Sequence, residues 1–381
     1  MKIYWITELS INTRHKSSRF ELAEALRNRG HEVTLIIQRK SGEKKIINDE
    51  IITFPTIPYP IVSKFIYGAI LFFYLPLFIR NKKIDVILID GADVWLPFLI
   101  SLKFLNIPLI LDIRTTAIKR SPHTILLVTS LYLSKLLVRG LTTITPEVKD
   151  ILIKRYKIKE NNIGIWTSGV AIDKFRKNTT IPDSLKDIRK TKSFILMYHG
   201  SYAPYRGIEN TITSLQYLGA ELRKKIVLIF VGFDAKKNRE LATYCSQLGF
   251  NEEIRFISQV AYEMMPSYLS VCDVGIIPLP PENEYCWESS PLKTLEYLAM
   301  SKPIIATNIP FHKRIFNEGE CGVLIENNEP ETIAKAIQYL YENRRKLDEM
   351  GKVGREIVEY YYTWDKKALD LEKFIKTILR C

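Results

Sequence analysis

The sequence predicts an α/β protein made of two Rossmann-like, doubly wound domains that face each other across a cleft. Three observations carry this expectation. The chain has 381 residues, enough for two domains at ~150 residues each. Short, β-branched, nearly continuous apolar runs alternate with helix-length amphipathic stretches through both halves, as βαβ units require. A polar, turn-rich segment at residues 176–192 separates the halves and reads as a linker.

In chain order, the first half offers strands at Lys2–Ile6, Glu32–Ile37, Val86–Ile89, Leu109–Asp112 and Leu141–Thr145. The second offers Phe194–Tyr198, Ile226–Val231, Ile254–Ile257, Val274–Ile277 and Pro303–Ala306. The expected division is therefore a first domain over 1–175, the linker at 176–192, a second domain over 193–355, and a terminal helical segment, 356–381, that packs back on the first domain. In such sheets ligands bind beyond the carboxyl ends of the strands.

Composition narrows the function classes. With 46% hydrophobic and 25% charged residues the chain is neither disordered nor a polytopic membrane protein. Its five cysteines (Cys245, Cys272, Cys286, Cys321 and Cys381) show no C-x-x-C spacing, which argues against a disulfide scaffold and a zinc site. The opening MKIYWITELS reads as a strand rather than a signal peptide, so a cytoplasmic protein is expected. Net charge is +13, and all of the excess lies early: residues 1–180 hold 28 basic and 15 acidic residues, the remainder 27 of each. Such a half attracts a polyanion: nucleic acid, lipid headgroups or a phosphorylated ligand.

Phe65–Ile79 is fifteen residues without a charge, flanked by Lys64, Arg80, Lys82 and Lys83. Spanning a bilayer takes ~20 apolar residues, and Pro76 is expected to interrupt this run. A core helix and an interfacial helix with basic edges both fit. Thr124–Val138 is a second apolar stretch, bounded by Arg120 and Arg139.

The densest chemistry lies in Glu288–Met300, ESSPLKTLEYLAM. Ser290 followed by Pro291 reads as a capped helix start. Leu292, Leu295 and Ala299 form a packing face, while Lys293 and Glu296 lie three apart on another. The first-turn amides near Ser290 and Leu292, the helix dipole and Lys293 suit a diphosphate. Glu296 is placed to accept from a ribose diol, and Glu288 to hold a second polyol.

Glu288 and Glu296 form an E-x7-E pair, and PLKTLEYLAMSKPIIAT resembles the donor-binding helix and strand of retaining GT-B glycosyltransferases of the GT4 family. RFELAEALRNRGHEVTLI, WTSGVAIDKF, YHGSYAPYRGIENTI, FVGFD, DVGIIP and GVLIENNEPETIAKAI resemble further segments of that family, in the same order. The resemblance implies a GT-B architecture and an enzyme that moves a hexose from a UDP- or GDP-sugar to an acceptor. It implies that Glu296 holds the ribose, Glu288 the donor sugar, and Arg206 the diphosphate, with base recognition by backbone near Gly232–Asp234. Gly232, Ser201, Ser290 and Leu292 complete the expected nucleotide contacts.

The chain departs from the family at several points. Ser201 stands where a second basic residue is usual, and Lys293 is a substitute for its charge. The loop after the first strand, Leu9–Phe20, lacks glycine; Ser17 and Ser18 stand in, and Arg14, Lys16 and Arg19 add charge. Arg114, in LILDIRT, replaces the family's histidine, and an arginine is no proton acceptor. Ser17, Ser18 and Arg114 are the acceptor-side candidates. His15 is a weaker one; His31, His123, His199 and His312 read as structural. With no D-x-D pair at a strand end, metal-independent chemistry without a cofactor is expected.

The expected partners are thus a nucleotide-sugar donor, a glycan or lipid-linked acceptor and an anionic membrane surface, with no nucleic acid. The expected place is the cytoplasmic membrane face. A catalytically silent GT-B scaffold and a sugar-nucleotide epimerase are the alternatives. An NAD oxidoreductase is disfavoured because no G-x-G-x-x-G follows a first strand.

Overall fold

The computed structural model describes residues 1–11, 17–56, 60–90, 106–116, 128, 131–134, 136–176, 180–191, 193–250 and 252–380. The chain forms two compact units, one of Met1–Gly169 with Trp364–Cys381 and the other of Val170–Thr363.

Unit 1 holds a seven-stranded sheet: β1 (Lys2–Ser10), β2 (Glu32–Arg39), β3 (Ile51–Pro55), β4 (Val86–Asp90), β5 (Leu109–Ile113), β6 (Gly140–Thr143) and β7 (Ile163–Ile165). Their order is β3-β2-β1-β4-β5-β6-β7, and every pair is parallel. Unit 2 holds β8 (Phe194–His199), β9 (Ile226–Phe233), β10 (Ile254–Ser258), β11 (Val274–Ile277), β12 (Ile304–Thr307) and β13 (Gly322–Ile325). Their order, β10-β9-β8-β11-β12-β13, is again parallel throughout and doubly wound. The expected Rossmann-like fold class is therefore present twice.

Period-2 alternation along β8 explains the continuous apolar reading. Ile195 and Met197 enter one core of unit 2, while Phe194, Leu196 and Tyr198 enter the core on the opposite face. The segment expected as a linker contributes Leu185 to the first of these cores. It forms two short helices, Asp183–Lys186 and Ile188–Thr191.

Helix α1 (Ser17–Asn28) follows β1, and α2 (Pro60–Ile79) follows β3. Contrary to expectation, Pro76 does not interrupt α2, which runs through it for twenty residues. Tyr67, Leu71, Leu75 and Ile79 recur every four residues and enter the core of unit 1. The opposite face leaves Phe73 and Leu77 66% and 72% exposed, with Tyr74 beside them. The core-helix reading is met on the buried face. Among the described residues no helix is long and apolar enough to cross a membrane. About half of the Thr124–Val138 run lies outside the described residues; of the remainder, Leu131 is buried and Leu136 exposed.

The strand expected to end at Thr145 stops at Thr143. Thr145 instead caps the helix Pro146–Tyr156, its Oγ1 accepting from the Val148 amide at 3.4 Å. Later helices include α3 (Leu292–Ala299), α4 (Pro310–Glu318) and α5 (Leu347–Tyr361) of unit 2, and α6 (Trp364–Arg380). The terminal helix α6 belongs to unit 1. Glu372 accepts from Arg29 Nε at 2.8 Å and from Lys376 Nζ at 2.5 Å, and Phe374 covers Gly164, where a Cβ would meet its ring at 2.4 Å.

Candidate active site

The carboxyl end of β8 opens the site in unit 2. There Gly200 adopts φ +119°, and a Cβ on it would stand 3.2 Å from Lys293 Nζ. Gly232, at φ +113° on β9, faces it, since a Cβ there would press within 2.9 Å of the Gly200 carbonyl. Gly200 thus leaves room for the lysine, and Gly232 leaves room for Gly200.

Helix α3 begins at Leu292, with Pro291 in the cap position and no side-chain cap. The cap position expected for Ser290 is taken by Pro291 (φ −68°, ψ 117°), with Ser290 buried just before it. Leu292 is half-buried, and its amide belongs to the helix's orphan first-turn set. The rest of α3 is sunk into unit 2 and held along its length. Thr294 Oγ1 lies 3.0 Å from His312 Nε2, and Tyr297 donates to the Met197 carbonyl at 2.6 Å over Gly275. At the C-terminal end Arg355 of α5 donates to the Ala299 carbonyl, a cation where the helix dipole favours one.

Lys293 Nζ sits 3.8 Å over the Tyr198 ring. Burial and then the nearby Arg206 charge hold its pKa well below the ordinary lysine value. Arg206 lies 5.3 Å over the Tyr205 ring, its Nε buried without a hydrogen-bond partner among the described residues. The next residue, Gly207, turns the chain at φ +67° against the Pro278 carbonyl, where a Cβ would come within 2.1 Å. Neither Arg206 nor Lys293 forms an ion pair among the described residues.

Glu296, one turn deeper, is buried, and burial raises its pKa to about 7 against the pull of Lys293 and a hydrogen bond from Tyr262. His199 Nε2 stands 3.3 Å from Glu296 Oε2 without an aligned hydrogen bond. Burial and Lys293 push this imidazole down to about 3, so it is neutral. Glu288 is buried beyond the helix Glu284–Trp287, close enough to Tyr285 to add to the rise that burial and Tyr205 give its hydroxyl pKa. Tyr285 in turn stacks on Tyr205 beside Arg206, ring centroids 5.9 Å apart. Ser201 turns its side chain to solvent and uses its carbonyl to accept from Tyr198 at 3.2 Å.

Arg206, Lys293, Glu296 and Gly232 therefore converge on one locus, with Glu288 at its edge. His199, which reads from sequence as structural, stands beside this locus, and so do Tyr198 and Tyr262, which were not expected there. The only signal for His199 was its place as the last residue of a strand entering a glycine turn.

Unit 1 carries a different cluster at the carboxyl ends of β4 and β5. Arg19 Nε donates to Asp90 at 2.9 Å and its Nη2 lies 3.7 Å from Asp112. Asp112 also accepts from Thr142 at 2.7 Å and from the Trp166 indole at 2.9 Å, while Trp5 donates to Asp90 at 2.8 Å. Arg114 stacks 3.9 Å over Trp166 and 3.9 Å from Asp112; burial and Arg19 lower its pKa to about 9. Ser18 is buried and accepts from Arg19 at 3.2 Å. Arg19, expected to add free positive charge, is thus spent inside the unit. The Ser17 side chain, Arg14, His15, Lys16 and His123 lie outside the described residues. Among the described residues no three His, Cys, Asp or Glu side chains group as metal ligands.

Two family models between them match most of the chain: "Glycosyltransferase Family 4" over residues 19–174 and "Glycosyl transferases group 1" over residues 181–357. The chain belongs to this glycosyltransferase family. It is similar to an uncharacterized glycosyltransferase, MJ1069, of Methanocaldococcus jannaschii, 24% identical over 62% of this chain and 58% of that one. It is also similar to a GDP-mannose-dependent alpha-(1-6)-phosphatidylinositol monomannoside mannosyltransferase of Mycobacterium tuberculosis, 24% identical over 55% of this chain and 54% of that one. The matches thus span less than two thirds of these relatives. Anabaena HepE, solved in complex with UDP, shares the GT-B fold at a TM-score of 0.76, with 14% identity over 99% of this chain and 100% of HepE.

Proposed function

We propose that the protein is a retaining glycosyltransferase that moves a hexose from a UDP- or GDP-sugar to a lipid-linked or other cell-surface glycan precursor. The observation that carries this reading is a pair of cations without an ion-pair partner among the described residues, Arg206 over the Tyr205 ring and Lys293 over the Tyr198 ring in the first turn of α3. Lys293 is destabilised as an ammonium there, and a bound diphosphate relieves that cost. The Arg206 fork and the amides of Leu292 and Lys293 add hydrogen bonds. Glu296 accepts from the ribose diol, Glu288 from the donor sugar, and the backbone near Ser201 and Gly232 borders the nucleotide. Ser290 flanks the diphosphate.

The same groups stabilise the leaving diphosphate as the sugar gains oxocarbenium character. The bond from sugar C1 to the phosphate oxygen breaks, and the acceptor oxygen bonds C1 on the same face. The acceptor's proton passes to the leaving phosphate oxygen. No metal is invoked in this scheme.

Unit 1 takes the acceptor, at Ser17, Ser18 and Arg114. The exposed Phe73, Tyr74 and Leu77 of α2, followed by Arg80, Lys82 and Lys83, lie against an anionic leaflet on the cytoplasmic face. The phosphatidylinositol mannoside in the name of the mycobacterial relative supports a lipid acceptor.

A thermal-shift panel of UDP- and GDP-sugars tests the donor: the matching donor raises the melting temperature, and no response to any of them overturns the reading. Free nucleotide release that depends on added acceptor tests transfer, and its absence favours the silent scaffold. Flotation with anionic liposomes tests the membrane surface; binding should fall with salt and with charge reversal at Lys82 and Lys83.

A further inference from the structure

His312 is a wholly buried imidazole on α4. Its Nδ1 lies 2.8 Å from the Thr307 carbonyl, which can only accept, so Nδ1 carries the proton. Nε2 is then a bare acceptor, and the Thr294 hydroxyl donates to it at 3.0 Å. Thr307, the last residue of β12, donates its own hydroxyl to the Leu279 carbonyl at 2.5 Å. A continuous chain of hydrogen bonds therefore runs from the first turn of α3, through one imidazole, to the end of β12 and on to the segment after β11. Burial, with Lys293 adding to it, lowers the imidazole to about 4. It stays neutral at ordinary pH, keeps Nε2 open to Thr294 and adds no third cation beside Lys293 and Arg206.

We infer that His312 is a positioning residue for the nucleotide site, acting through Thr294 to fix the rotation and depth of the first turn of α3. That turn carries the amides of Leu292 and Lys293 and the Lys293 side chain, and Glu296 follows one turn later. Pro291, in the cap position, has no side-chain group to cap this turn. The Thr294–His312 bond ties the turn to α4 from within the unit. The inference rests on the reading that α3 binds the donor's diphosphate.

Thr294→Val removes the hydroxyl while keeping the side chain's shape, and Thr294→Ser keeps the hydroxyl. UDP and GDP affinities of the full chain, measured by titration calorimetry, should fall on the order of fivefold to tenfold in T294V, the range of one neutral hydrogen bond, and stay near wild type in T294S. His312→Asn retains a donor for Thr307 but not the reach to Thr294, so it should match T294V. The double variant should lose no more than either single one. Should T294V bind the nucleotide like wild type while its urea midpoint drops, His312 merely fills the core and the inference fails. Should wild type bind neither UDP nor GDP, the donor reading itself fails, an outcome distinct from the first.

Discussion

Each unit buries a group of charges at the carboxyl ends of its strands, and the two groups are built in opposite ways. In unit 1, Arg19 and Arg114 face Asp90 and Asp112, and two indoles and a threonine take up carboxylate oxygens. In unit 2, Arg206 and Lys293 share a locus with no carboxylate within ion-pair distance among the described residues, and burial shifts Glu296 toward its neutral form. The first arrangement sets each guanidinium against a carboxylate. The second holds two cations without one, and the diphosphate of the proposed donor would supply the missing negative charge.

That contrast breaks most visibly at Asp112. Asp112→Ala strands two buried guanidiniums and the Trp166 N–H, so unfolding in urea should show a loss of about 3–5 kcal/mol. Nucleotide affinity measured under folded conditions should not move. Arg206→Ala should do the reverse: UDP or GDP binding weakens by about 1.5–3 kcal/mol, with Arg206→Lys between it and wild type, while stability holds or rises slightly. Glu296→Ala should weaken nucleotide binding by a similar amount, about 1.5–3 kcal/mol, without touching the acceptor. Nucleotide affinity unchanged in either variant would separate that residue from the site.

A gentler probe is pH. Burial raises the Glu296 pKa to about 7, and the proposed contact to a ribose diol needs the carboxylate, so affinity for a nucleotide sugar should rise up to about tenfold per pH unit below 7 and level off above it. Glu296→Gln should flatten the profile. The stability effect has the opposite sense. Between the ordinary glutamate pKa of 4.5 and about 7 the folded state keeps a proton that the unfolded chain has lost, so this group lowers stability as pH rises through that window.

The smallest effect belongs to Glu372 in unit 1. Hydrogen bonds from Lys376 and Arg29 hold its pKa down to about 2, so its contribution is complete above 4.5 and is lost as pH falls toward 2. Glu372→Gln should cost about 1 kcal/mol or less. Hydrogen exchange should place the loosening on α6; uniform exchange elsewhere with α6 unchanged would detach Glu372 from that role.

The legibility of the sequence divides along the same line. Strands such as β8 and β9 were readable because both faces are covered and the apolar run is unbroken. β3, which ends in Pro55, and β7, three residues with a central glycine, carry too little pattern to be seen. β13 was visible only inside a longer family-like segment. On the site, Lys293 and Glu296 were legible because helical spacing links them locally. His199 was not, being 97 residues from Glu296 with only a sheet to bring them together. Arg19 was misread for the same reason: its partner Asp90 lies 71 residues on, and a charge in a basic loop looks free until that partner is in place. Ser290 looked like a cap because the S-P pair is a good start signal, but Pro291 took the cap position itself.

The return of α6 to unit 1 has a consequence in time as well as in space. Arg29 must wait for Asp365 and Glu372, more than 330 positions later, before it finds its carboxylates. On a ribosome, unit 2, a continuous stretch from Val170 to Thr363, can close as soon as it has emerged. Unit 1 begins first yet finishes last, with the surface of α1 and the ring-sized gaps over Gly140 and Gly164 uncovered until Trp364–Arg380 arrives. During that interval the unit most exposed to premature association is the one synthesised earliest, and a chain stalled near Thr363 would carry a finished second unit behind an unfinished first.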